Sequence, residues 1–553
     1  MVRAAILIKE AGIQFKFNIW IAAWTILAAI FIGPILAVFF AATGDSGGLW
    51  SHLFDTVLQR YVANTLILMA GVAIVSLLIG VSSAWVVVRY DFFCRSIFQW
   101  MLLLPAAIPA YLIAYTYCDF FEFSGPLQKL LRDFFGWKLV TDYWFPEIRS
   151  MGGAIFLMGS VLYPYVYIMS RAAFLLTPAS LYEVGLITQR SIFWKIGLPL
   201  ARPAIAAGVA LTMMETVSDF GTVEYFAIET LTLGIFNVWL GMNSLTTAAQ
   251  ISTFSFLFVI SLLIFEVINR ARQRYTDTTN RAATLPPKKI TGAPALLCWV
   301  VCGMPIMFGF LIPVLILLSF VFQGYSIDFN ESITTAAFNS LILAIAISSL
   351  VMASAFFMII VSKFQKSAVI PKITAAASCG YAFPGTILAV GVAIAGGTLD
   401  DTISVVVEKY FNTSFSGFFA SGIGLVVIAC VIRFQAIGYG SITTGLGRIP
   451  ENMMHANRAL GRGLGYGIIH VIIPLIKLSF IAGGLLVFVD VMKELPITLL
   501  LRPFNFETLP TFVYQFAKDE LLEEAALPAL IIIATGLIPT IIMNSILNRF
   551  LKQ

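Results

Sequence analysis

From Asn64 to Arg89 the chain reads NTLILMAGVAIVSLLIGVSSAWVVVR, and from Asn339 to Lys363 it reads NSLILAIAISSLVMASAFFMIIVSK. Each is an apolar run with no charge until its last residue, long enough to cross a hydrocarbon layer about 30 Å thick, which takes about 20 residues of helix. The runs are continuously apolar rather than alternating, so the expectation is helices and not the strands of a barrel. Asn-Thr-Leu at 64–66 and Asn-Ser-Leu at 339–341 lie 275 positions apart, which suggests that the chain is built twice from one pattern.

Comparable runs lie near 19–41, 65–88, 97–117, 151–176, 203–220, 248–269, 294–322, 340–362, 370–396, 416–440, 476–499 and 525–548. The expected fold is an all-α, polytopic membrane protein of about 12 spans in two parallel six-helix repeats. Composition agrees: 59% of the 553 residues are hydrophobic and 11% charged, with mean hydropathy +0.92, against about 25% charged in soluble domains. The first run exceeds the 7–15 residues of a signal-peptide core, so it reads as an uncleaved span. With the N-terminus inside, 25 of the 34 Lys and Arg residues fall in cytoplasmic segments and 19 of the 29 carboxylates fall outside. The excess of basic residues places both termini in the cytoplasm of a bacterial inner membrane. The net charge of +5 is dispersed, and no basic patch interleaved with aromatics points to nucleic acid. The six cysteines show no disulfide or zinc spacing; Cys298 and Cys302, four apart on an apolar run, read as packing residues.

The offset of 275 recurs. Ile108-Pro109-Ala110 falls on Phe383-Pro384-Gly385, Leu198-Pro199-Leu200 on Ile473-Pro474-Leu475, Glu215 on Asp490, and Asp219 on Glu494. Pro178 matches Pro450 at 272, so one cytoplasmic loop of the first half is three residues shorter. The polar stretch 271–292 reads as a cytoplasmic linker between a first permease half, 1–270, and a second, 293–553. Six helices per half give both the same orientation, related by a pseudo-two-fold axis along the membrane normal.

Each half carries a long cytoplasmic loop between its fourth and fifth spans. The second reads HANRALGRGLGYGIIHVIIP from His455 to Pro474, and the first EVGLITQRSIFWKIGLP from Glu183 to Pro199. A short helix, a glycine turn and a second helical stretch ending at proline would make a lever lying on the cytoplasmic face. The loops resemble the EAA loops of ABC-importer permeases. Ala456, Gly461 and Pro474 fit that pattern while His455 and Asn457 depart. Glu183, Leu198 and Pro199 fit while Val184 and Gly185 replace alanines. An ordinary connecting loop is the alternative reading.

The segments METVSDFGTVEYFAIETLTLGIFNVWLGM (214–242) and VDVMKELPITLLLRPFNFETLPTFVYQFAKDELLEEAALPAL (489–530) are similar to those of fused two-half ferric-iron permeases. That resemblance covers nearly the whole chain from Asn64. It implies a transport subunit without its own ATPase site, two separate ATP-binding subunits seated on the levers, and an outer solute-binding protein delivering ferric iron. The Gly-rich run Gly461–Gly467 lacks the Lys-Ser/Thr ending of a phosphate cradle, which agrees with ATP hydrolysis by a partner, and no cofactor is expected.

Glu215 and Asp219, like Asp490 and Glu494, are four apart and are expected on one helix face. An ionised carboxylate at mid-bilayer costs about 2.5–3.5 kcal/mol on insertion scales. The four should therefore face water, one another or a cation, and oxygen ligands suit a hard ion. Gly221 and Pro496, just after the pairs, are expected to interrupt their helices. The competing reading is structural: capping of helix ends, or a local pair with Lys493. His52 and His470 have no metal-ligand spacing. The acidic Asp400-Asp401 and Asp519–Glu524 stretches read as outer loops that dock a binding protein or are simply solvated. Two alternatives remain open: an ABC permease for another solute such as thiamine or a phosphonate, and a secondary transporter.

Overall fold

The computed structural model describes residues 19–187, 191–271, 286–324, 331–365, 367–411, 422–447 and 449–537. Most of the linker and the last part of the run at 525–548 lie outside the described residues. The fold is all-α apart from one two-residue parallel pairing, Tyr90–Asp91 with Lys288–Lys289, extended by Ile290 N–H donating to Asp91 O at 3.1 Å. This pairing ties the end of the linker to the end of the helix Leu58–Arg89.

Among the described residues nine helices are long and apolar enough to cross a bilayer, and the pair Arg95–Ala107 and Ala110–Phe135, bent by 90°, makes a tenth. The expected run at 248–269 lies in the helix Leu245–Ala271, and that at 525–548 begins with the helix Ala526–Leu537. The runs at 97–117 and 370–396, expected as single helices, are each broken at the same repeat position. Ile108 (ψ 127°) and Phe383 (ψ 133°) are extended, because the ring of a following proline crowds a helical residue before it. A 3₁₀ turn precedes each break, at Leu104–Ala107 and Gly380–Ala382, and a helix resumes at Ala110 and at Gly385.

The fifth spans start earlier than expected, because the levers run into them without a break. π turns at Phe193–Gly197 and Ile468–Ile472 lie 275 residues apart, and each is followed two residues later by Pro199 or Pro474. A third π turn, Met307–Leu311, precedes Pro313 in the same way. Proline has no N–H for the carbonyl one turn back and its ring collides with that carbonyl. The widened turn relieves the collision while keeping the helix direction.

The chain divides into two compact units, and they do not follow the two sequence halves. Unit 1 gathers the described residues of 1–41, 340–491 and 501–504; unit 2 gathers those of 42–339, 492–500 and 505–553. The first helix, Ile19–Ala42, thus packs with second-half helices: Trp24 Nε1 donates to Thr374 Oγ1 at 3.0 Å, and Gly391 lies against Pro34. The first helix of the second half packs in turn with first-half helices. Ser83 Oγ donates to Val301 O at 3.4 Å, and Cys298 and Cys302 are buried, unbridged, among Val81, Ala84, Tyr163 and Tyr167.

In unit 2 the helices Leu58–Arg89 and Met151–Leu176 pack through reciprocal glycines. A Cβ on Gly80 would stand 2.7 Å from Val166 Cβ, and one on Gly159 2.5 Å from Val75 Cγ1. Small residues that admit close backbone approach are the usual means of helix association in lipid. On the opposite face Ile67, Ile74 and Leu78 form an exposed apolar stripe suited to acyl chains.

Candidate functional site: two levers and two interrupted helices

The first lever begins with the helix Ala179–Ile187. Glu183 is exposed and Gly185 is buried so closely against Ile196 that no side chain fits there. Trp85, from the helix Leu58–Arg89, braces this lever, with its ring 5.2 Å from Phe174, 6.2 Å from Tyr182 and 5.1 Å from Phe193. A Cβ on Gly197 would meet Trp85 Cζ3 at 2.7 Å, and Leu198 and Pro199 follow, half-buried. Val184 lies within the lever helix.

The second lever begins with the helix Glu451–Ala459, which contains His455 and the exposed Ala456. It closes on Gly461, at φ +71°, with Arg462 N–H donating to Asn457 O at 3.1 Å. This is a Schellman ending, which needs a left-handed residue and favours glycine. Asn457, a departure from the EAA pattern, is buried, and its Nδ2 donates to Arg462 O at 3.4 Å and Gly463 O at 3.3 Å. The sequence gave no sign of this second function for the position. The packing pair beneath the turn is exchanged between halves: Gly185 faces Ile192 in the first lever, Asn457 faces Gly467 in the second. Under the offsets of 272 and 275 these positions correspond, so a small residue meets a large one either way round. Pro474 is exposed.

The carboxylates depart from the expectation of shared helix faces. The helix Leu198–Ser218 ends before Asp219, and Ile473–Met492 ends before Glu494. Glu215 and Asp490 remain on those helices, half-buried, with Asp490 in unit 1 and the other three in unit 2. Short helices resume at Gly221 and Pro496, as expected. Asp219 Oδ1 accepts from Thr222 N–H at 2.9 Å, and Glu494 Oε1 accepts from Ile497 N–H at 3.2 Å. Each carboxylate thus meets an amide left open where a helix begins, at the same place in both repeats. The two restarts touch: a Cβ on Gly221 would stand 2.7 Å from Tyr111 Cβ and 3.0 Å from Leu495 Cδ2.

The segments beyond the restarts are anchored alike. Asn64 Nδ2 donates to Glu229 O at 3.0 Å, and Asn339 Nδ2 to Glu507 O at 2.9 Å. Thr230 and Thr508 then cap the next helices through Leu233 N–H and Thr511 N–H. On the same side, Tyr514 Oη donates to Glu224 Oε1 at 2.6 Å, with Lys518 Nζ 3.8 Å from that oxygen. A cavity of about 640 Å³ opens between Glu122, Tyr143, Trp144 and Arg149, beside the Arg149–Glu122 ion pair at 2.5 Å.

Two further expectations are corrected. Asp400 and Asp401 lie inside the helix Gly385–Phe411 rather than in a loop, and Asp400 is buried. Arg433, counted with the cytoplasmic basic residues, lies in the middle of the helix Gly424–Leu446, 6% exposed, beside the ring of Phe434. A lone arginine in an apolar run is a signal that sequence reading can use. Among the described residues no three His, Cys, Asp or Glu side chains gather closely enough to hold a metal ion.

No family profile matches the chain. The doubled helical set, the levers and the full-length likeness to known transport proteins place the chain among the two-half permease subunits of ABC importers. The relative matched from end to end is the Fe(3+)-transport system permease protein FbpB 2 of Haemophilus influenzae, 24% identical over 538 residues, 94% of this chain and 98% of that protein. Shorter matches include the molybdate/tungstate transport system permease protein WtpB of Thermococcus kodakarensis, 25% identical over 38% of this chain and 77% of its own length. The sulfate transport system permease protein CysT of Salmonella typhimurium is 25% identical over 41% of this chain and 82% of its own length.

Proposed function

We propose that this permease carries ferric iron across the bacterial inner membrane, with both termini in the cytoplasm. An outer solute-binding protein delivers the ion, and two copies of a separate ATPase seat on the levers at 183–199 and 455–474. The observation that carries the reading is the pair of carboxylates, Asp219 and Glu494, at matching helix interruptions, with Glu215 and Asp490 one turn before them. Carboxylates at membrane depth repel an oxyanion such as molybdate or sulfate and attract a cation. The ferric-iron relative is also the one that matches both halves. The halves 1–270 and 293–553 each contribute one lever and one interrupted helix.

The test is uptake of radioactive iron into proteoliposomes holding the chain, its ATPase and its loaded binding protein. Iron should enter only with ATP, and excess molybdate or sulfate should not compete. Glu215→Gln combined with Asp490→Asn keeps shape and removes charge, and it should cut uptake strongly while assembly with the ATPase persists. Normal uptake by that double variant would remove these two carboxylates from the path.

A further inference from the structure

Tyr111 stands second in the helix that resumes after the break at Pro109. It is 4% exposed, and its hydroxyl is buried with no hydrogen-bond partner. Leaving a buried hydroxyl unpaired costs about 1–3 kcal/mol, and phenylalanine would fill the same space without that cost. The ring base is wedged where the interrupted helices restart, against Gly221 and across from Leu495. The charges that act most strongly on the Tyr111 hydroxyl are those of Glu494 and Asp219, one from each repeat. Position 386, its equivalent at the offset of 275, carries Thr386, whose hydroxyl is also buried and without a partner.

We propose that Tyr111 is a direct ligand on the transport path, forming with Asp219 and Glu494 a transit site for a hard trivalent cation. The proposal rests on the ferric reading above and adds the group that selects the ion's charge. A neutral phenol holds its proton until about pH 10. As the trivalent ion arrives, the O–H bond of Tyr111 breaks, its proton passes to a carboxylate oxygen of Asp219 or Glu494, and the phenolate oxygen bonds the metal. When the ion leaves, the proton returns. No electron moves and no co-reactant is consumed. The site holds two negative charges before and after the exchange, too few to neutralise a trivalent ion, so the ion is held loosely enough to move on. A divalent ion polarises the phenol less and gains less from the exchange, which makes the site selective for the trivalent state.

The experiment uses the complete transporter, with ATPase, in detergent and in proteoliposomes. Gallium(III), added as its citrate complex, is titrated while the ultraviolet difference spectrum of tyrosinate is recorded, and radioactive iron uptake is measured in parallel. The wild type should show the signal of a single tyrosinate. Tyr111→Phe should lose it and transport iron at least about tenfold more slowly, the lower end of what losing even an indirect metal contact costs. The thermal stability of the variant should be unchanged or higher, because only an unpaired hydroxyl has been removed. An identical spectrum in the variant, or uptake at the wild-type rate, overturns the proposal. So does failure of Tyr111→Phe to assemble, which would make the hydroxyl structural. Iron uptake by the wild type without any tyrosinate signal overturns the site alone, whereas transport of molybdate or sulfate in place of iron overturns the ferric reading and the site with it.

Discussion

Gly461 offers a sharp test of how the second lever is built. Its φ is +71°, and a Cβ placed there would meet nothing within 4 Å. The cost of a side chain is therefore all backbone and none of it collision. For an ordinary L-residue the left-handed conformation costs about 1–2 kcal/mol, and for asparagine less. That is a factor of about 5–30 in the population of the closed turn. The reporter is Arg462 N–H, which the turn holds on Asn457 O at 3.1 Å. In the chain without its ATPase, hydrogen exchange over 457–467 should accelerate by about that factor in both Gly461→Ala and Gly461→Leu. Gly461→Asn should lie between these and the wild type. In the reconstituted transporter, the same order should hold for ATP hydrolysed per ion moved. Unchanged exchange in Gly461→Ala, or a Leu variant far worse than Ala in the isolated chain, would refute the argument, because size would then matter where the structure leaves open space.

Two other outcomes follow from matched or isolated contacts. Asn64→Ala and Asn339→Ala each remove one side-chain bond to a carbonyl, at 3.0 and 2.9 Å, and should lower stability by a similar amount, about 1 kcal/mol, read as comparable drops in melting temperature. In the loop after the helix Pro126–Phe135, the backbone N–H groups of Leu139 and Lys138 donate to the exposed Asp142 and lower its pKa below the usual carboxylate value. The order it lends is present above the unfolded value of about 3.9 and fades as pH falls through the lower folded value. Fluorescence of Trp137, stacked on Tyr143 at 4.8 Å, should report that loosening on acidification, and Asp142→Asn should abolish the pH dependence.

The repeat was legible in sequence because it rests on residues whose backbone chemistry is strict. Pro109 and Pro384 force an extended predecessor, and Gly221 and Pro496 stand where helices restart. The placement of Asp219 and Glu494 was half legible. Spacing of four put each on a helix face, but the open amides of Thr222 and Ile497 draw the carboxylate out of the helix, and a competition between two local hydrogen-bonding arrangements leaves no trace in periodicity. Asn457 was marked only as a mismatch, since its contribution depends on a turn that closes back on it. Asp400 and Asp401 looked like loop residues because charge was read as the end of a span, whereas the helix continues to Phe411. The exchange of first helices between units was beyond reach, because a uniformly apolar helix such as Ile19–Ala42 carries no pattern that names its neighbour.

That exchange bears on how the protein is made. The hydrogen bond from Trp24 to Thr374 joins residues 350 positions apart. At about 5–20 residues per second, the ribosome needs roughly 20 to 70 seconds after Trp24 has been added before Thr374 exists. Throughout that interval the first helix resides in lipid without the neighbours it will keep, and its indole N–H lacks its final acceptor. The first helix is therefore the natural client for an insertion factor or chaperone during biogenesis, and truncated chains ending before Thr374 should be its most persistent cargo.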